Sequence, residues 1–215
     1  MARLQNILGA GVAPPIQGIA DFFSSGVWGG TLSGGTAVGS AIIEAFIMQV
    51  GGGLDVAWGR LDNVAELYSD LLEAHITYRH VMARTPVIAK YRHSNLLHHI
   101  ILALDPSNAT TLPGTRMYVG HDSDLDGLAT ILGLSWSSPP FPPNATTPGS
   151  GLRFDVFLGE KSEFFVKVDL YYTTFESDKA PIFVVPANFS HDTNVMKFSD
   201  FKKLAYDKMN FQCIS

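Results

Sequence analysis

"YVGHDSDLDGLATILGL", residues 118 to 134, decides how this chain reads. The short run "RMYVG" (116–120) predicts a strand that ends on Gly120. Beyond it Leu125, Leu128, Ile131 and Leu132 recur at helical spacing, so "DLDGLATILGL" (124–134) predicts a helix of about three turns. His121 and Asp122 stand at the junction. A helix N-terminus favours an anion there, because free backbone N–H groups and the helix dipole point at it. A protonated His can hold a phosphate or carboxylate oxygen, and a protonated Asp can donate to a leaving group. Two polar residues in an exposed turn would need no such role; the strand-to-helix setting is what singles the pair out.

Working outward, "SGGTAVGSAIIEAFIMQVGGG" (33–53) predicts a helix from near Gly35 to Val50, stopped by glycines. Val64, Leu67, Leu71, Leu72, Ile76 and Val81 place a second helix before Thr85-Pro86. Pro86 can open a third over 86–104, with Ser94 a candidate cap before "NLLHHIILAL". Residues 105–115 read as a loop, and so does the Pro-rich "SWSSPPFPPNATTPGSG" (135–151). "LRFDVFLG" and "FFVKVDLYYTTF" predict two strands joined by "EKSE", and "SDFKKLAYDKM" a last helix capped by Ser199. The expected organisation is a poorly defined segment 1–30, a helical lobe 31–104 and an α/β lobe 105–215, with 31–215 forming one domain.

The totals exclude several classes. Charged residues are 16% of the 215, below the roughly 25% of an average soluble protein, and the net charge is −5 with no basic run, which argues against a nucleic-acid surface. "AVGSAIIEAFIMQV" (37–50) is too short to span a membrane and carries Glu44. "MARLQNILGAGVAPPIQGIADFF" (1–23) is a poor signal peptide. Yet Asn108, Asn144 and Asn188 each begin an Asn-x-Ser/Thr sequon in a loop, which points to a secreted or lumenal route, lysosomal, vacuolar or extracellular. Cys213 is the one cysteine, either a plain surface thiol or half of a bond to sequence outside this chain. "GGTLSGG" (29–35) lacks the Lys of a phosphate loop, and His98-His99 cannot share one helix face, so neither a metal nor a cofactor is expected. Oligomeric state is not legible.

The stretch "YVGHDSDLDGLATILGLSW" resembles the second signature of the histidine acid phosphatases, the branch of the histidine phosphatase superfamily that includes phytases and glucose-1-phosphatase. "TPGSGLRFDVF", "TLSGGTAVGSAIIEAFIMQ" and "YSDLLEAHITYRHVMARTPVIAKYRHSNLL" are similar to further parts of that family. The resemblance implies an α/β fold, a three-layer sandwich with a central sheet plus a helical substrate lobe, here truncated at its N-terminal side. It implies hydrolysis of small-molecule phosphomonoesters through a phosphohistidine, with His121 binding phosphate and Asp122 protonating the leaving alkoxide. Ser123 and Asp124 stand where the motif has Thr and Asn, and the Asp adds negative charge beside the anion site. Glu44 and Arg84 match pocket positions of phytase-like members; they read equally as a helix carboxylate and a helix-end Arg. Cys213 matches a C-terminal Cys that similar bacterial proteins join to their N-terminal half.

The family's nucleophile lies in Arg-His-Gly-x-Arg-x-Pro, and that motif does not occur in this sequence. "RHVMARTP" (79–86) and "RHSNLL" (92–97) lack the Gly and read as helix-surface pairs. "SHDTNV" (190–195) has the family's wording, but no strand ending in Gly precedes His191 and no apolar-faced helix follows it. Two readings stay open: a phosphatase whose catalysis is complete only in a longer chain, and an inactive relative or fragment that binds phosphorylated ligands or protein partners.

Overall fold

The computed structural model describes residues 2–9, 22–24, 30–61, 63–107, 114–174, 181–190 and 192–215. The chain is α/β and divides into two compact units. The first holds Met1–Met82, Ser137–Ala145 and Thr173–Ile182; the second holds Ala83–Trp136, Thr146–Tyr172 and Phe183–Ser215.

In the first unit, helix α1 (Ala2–Leu8) precedes the antiparallel pair β1 (Phe22–Ser24) and β2 (Gly30–Leu32), and α2 follows over Gly35–Gly51. The predicted second helix forms as α3 (Val64–Glu66) and α4 (Leu72–Met82), with one π-helical stretch, Leu67–Leu71, between them. Leu67, Tyr68, Leu71 and Leu72 are all buried along it. Asn63 caps α3 by accepting from the Ala65 N–H at 3.0 Å. Helices α2 and α4 pack together, and at their contact buried Ser40 Oγ lies 2.9 Å from His75 Nδ1.

The second unit begins with α5 (Pro86–Leu104), whose first turn accommodates Pro86 because that N–H has no helical acceptor. Ser94 is not a cap, contrary to expectation. It sits inside this unbroken helix, buried, donating to the Lys90 carbonyl at 2.5 Å and accepting from the Asn210 N–H at 2.8 Å. Helix α6 covers Asp122–Leu132 and ends on Gly133, whose φ of 71° is the left-handed conformation that glycine adopts without steric cost.

Strands β3 (Gly151–Leu158), β4 (Phe164–Thr173), β5 (Ile182–Pro186) and β6 (Val195–Lys197) make a sheet with β4 in the middle. Strand β3 runs antiparallel to β4 from Gly151 opposite Tyr171 to Leu158 opposite Phe164. Val166, Val168, Leu170 and Tyr172 share one buried face, the period of two that a half-covered strand requires. Helix α7 (Phe198–Lys208) supplies buried Phe201, whose ring neighbours Phe154, Phe189 and Phe198.

Two further expectations are corrected, and two strands were missed. "RMYVG" is not a strand: residues 115–121 have no regular structure, Met117 and Val119 are 82% and 91% exposed, and no described strand pairs with them. A strand exists only with a hydrogen-bonding neighbour, which apolar composition cannot supply. Strands β5 and β6 were hidden by Pro186 and by the short length of 195–197. Helix α7 starts one residue before Ser199, and its N-cap is Lys197. Among the described residues no helix is long and apolar enough to cross a membrane.

Candidate anion site at the start of helix α6

His121 is the N-cap of α6 in an extended conformation, φ −111° and ψ 166°, and Asp122, Ser123 and Asp124 form the first turn. Asp124 Oδ2 reaches back to accept the His121 backbone N–H at 2.7 Å, the carboxylate half of a capping box. The Ser123 N–H donates to Asp122 Oδ1 at 2.7 Å, and the Asp124 N–H to the His121 carbonyl at 3.0 Å. Gly120 leaves room for the bond from His121 to Asp124: a Cβ there would meet the Asp124 carboxylate, which would have to shift. His121 is exposed, and Asp122 and Ser123 are half-buried. The helix buries its other face, Asp126 to Ala129 with Ile131 and Leu132, in the second unit.

Arg84 lies in that same unit and meets α6 one turn further on, at Asp126. Its Nε donates to Asp126 Oδ1 at 2.9 Å, a second nitrogen lies 2.9 Å from that oxygen, and its guanidinium covers the Trp136 ring at 5.1 Å. Asp126 is 1% exposed, so the pair is a desolvated one in which each charge needs the other. Thr146 Oγ1 stands 3.5 Å from the same oxygen. Asp126 was not singled out in the sequence, where it looks like one more acidic residue at a helix start.

His93 was missed as well. "RHSNLL" read as a helix-surface pair, yet only Arg92 is exposed; the His93 side chain is 5% exposed and its Nδ1 lies 3.2 Å from Asp124 Oδ1. Burial pushes its pKa below the usual value, against the pull of Asp124. A signal was present, since Ala89, His93, Leu97 and Ile101 fall at helical spacing on the buried stripe of α5.

The remaining candidates fall elsewhere. Glu44 is exposed on α2 of the first unit. Asn108 and His191 lie outside the described residues. Asn144 is half-buried in a turn with φ 60°, and Asn188 is half-buried with its N–H and carbonyl both bonded to Ser135 at 2.8 Å. Cys213 is a half-buried thiol in the single turn Phe211–Cys213. A cavity of ≈ 380 Å³ in the first unit, lined by Val50, Leu54, Val56, Val64, Ala65, Tyr68 and Pro140, holds no charged side chain and offers a phosphate little. Among the described residues no group of three His, Cys, Asp or Glu could hold a metal ion. The first turn of α6 is thus where an exposed His and an adjacent carboxyl meet a helix N-terminus.

No protein-family model matches the chain. It is 31% identical over 164 residues to the phytase AppA of Escherichia coli (strain K12), an alignment covering 71% of this chain and 37% of that protein. Hafnia alvei phytase, solved in complex with myo-inositol hexakis sulphate, superposes on 93% of this chain and 54% of its own with a TM-score of 0.77 and 25% identity. A phytase from Klebsiella sp ASR1 superposes on 100% of this chain and 58% of its own with a TM-score of 0.83; at 16% identity that likeness is one of fold. The chain therefore spans between about a third and three fifths of the length of the proteins it matches.

Proposed function

Because the chain belongs to the histidine acid phosphatase family, we propose that it provides the phosphate-binding and acid-donating part of a phosphomonoester hydrolase of the phytase kind. One observation carries the reading: His121 and Asp122 lie side by side at the first turn of α6, with the His exposed. His121, protonated, hydrogen-bonds a phosphoryl oxygen and offsets its charge. Asp122 gives its proton to the ester oxygen as the P–O bond breaks, so the alcohol leaves neutral. Arg84, tied to Asp126, and Ser123 join as substrate-binding residues by resemblance; Glu44 is carried over as one by the same resemblance alone. The nucleophilic His of the family motif is not among this chain's residues. The substrate class follows the relatives' name, multiply phosphorylated inositol and similar small phosphate esters. The sequons support a secreted or lumenal location, where glycans are added.

A second reading is a module that binds phosphate esters without turnover, which the exposed His121 at the start of α6 would serve equally. Hydrolysis of an aryl phosphate at pH ~4 to 6, where a carboxylic acid is partly protonated, together with equilibrium binding of the same ester, separates the two in wild type and Asp122→Asn. Turnover that disappears in the variant supports the hydrolase. Binding without turnover in either protein is what the module predicts and also what a hydrolase part without its nucleophile predicts, so it upholds the phosphate site alone; neither binding nor turnover sinks both.

A further inference from the structure

We propose that His93 is a positioning residue for the His121–Asp122 step, holding Asp124 so that Asp124 in turn holds the His121 backbone. The inference rests on the phosphate-site reading above and adds a residue to it from another helix. The link has two bonds: His93 Nδ1 to Asp124 Oδ1 at 3.2 Å, and Asp124 Oδ2 to the His121 N–H at 2.7 Å. One carboxylate thereby connects the buried stripe of α5 to the peptide that carries the site. An amide oxygen at position 124, as in the family's Asn, could cap His121, but it has no second oxygen for a donor on α5. The Asp that replaces it here gains a use for His93.

The rest of the ring's surroundings fix which nitrogen carries the proton. His93 Nε2 is buried and has no hydrogen-bond partner among the described residues. A proton there would be a buried donor without an acceptor, and Nδ1 would turn a lone pair towards a carboxylate; the Nδ1–H form avoids both. The ring packs directly against Gly127, where any Cβ would overlap it, so this glycine leaves the space that the ring fills. Arg92 and Asp126 are the other charges acting on it: Arg92 works with burial to favour the neutral ring, and Asp126 pulls the other way. His93 is therefore a donor to Asp124. It also spreads the charge of a carboxylate, 31% exposed, that would otherwise repel phosphate.

The test uses the full chain and nitrogen-resolved NMR. In wild type near neutral pH, His93 is expected as the Nδ1–H tautomer with an unprotonated Nε2; an Nε2–H tautomer overturns the proposal without any variant. His93→Leu fills the space without a donor, and His93→Asn returns an N–H near the Nδ1 position. His93→Leu is expected to shift the His121 amide resonance and to weaken inorganic phosphate binding roughly tenfold, the scale of one hydrogen bond to a charged group, with His93→Asn restoring both. A folded His93→Leu protein whose His121 amide stays unshifted also overturns it. A shifted amide in a protein that binds no phosphate at all would uphold the link between His93 and His121 while sinking the phosphate-site reading.

Discussion

Asp105, at the C-cap of α5, accepts from Lys202 Nζ at 2.6 Å and from the Ser107 hydroxyl and N–H at 2.6 and 2.9 Å. The Lys202 bond first, then the Ser107 hydroxyl, hold its carboxyl at about 2, below its usual 3.8. A carboxylate with a depressed folded pKa stabilises the protein above its unfolded pKa, and that contribution disappears as pH falls through the folded one. Asp105→Asn is therefore expected to lower the urea midpoint by a constant amount above pH ~5, the difference closing between pH ~4 and ~2. A difference that persists unchanged at pH ~2 would contradict the assignment. At this scale the sequence displayed His121 and Asp122, because their setting at a helix start is a local pattern. It concealed His93, Asp126 and Asp105, since a partner that is 31, 42 or 97 positions away in the chain leaves no local mark.

Strand β4 is the element that the second unit's sheet depends on, flanked by β3, β5 and β6. Leu170 on it is fully buried, so Leu170→Ala should cost about 2–5 kcal/mol of stability by urea unfolding, from lost burial and an unfilled cavity. An effect below ~1 kcal/mol would show that this face is not core. Strands β3 and β4 were legible because each is an alternating run with a short turn between them. Residues 116–120 were equally apolar and gave no strand, since pairing depends on a neighbour that the run itself does not encode. The π-helical stretch Leu67–Leu71 was invisible for a similar reason: periodicity counts apolar positions but not the extra residue that a packed turn absorbs.

For the molecule as a whole, the motif around His121 carried the family assignment, which the likeness to phytases agrees with. The α/β class was legible; the assignment of Ser137–Ala145 and Thr173–Ile182 to the first unit was not, because it depends on contacts far apart in the chain. The central claim is that the start of α6 binds phosphate through His121. Calorimetric titration of inorganic phosphate at pH ~5, where an ordinary imidazole is charged, into wild type and His121→Ala tests it most directly. The account predicts saturable binding by the wild type that weakens roughly tenfold or more in the variant. Equal affinity in the two folded proteins, or no binding by the wild type, would contradict it.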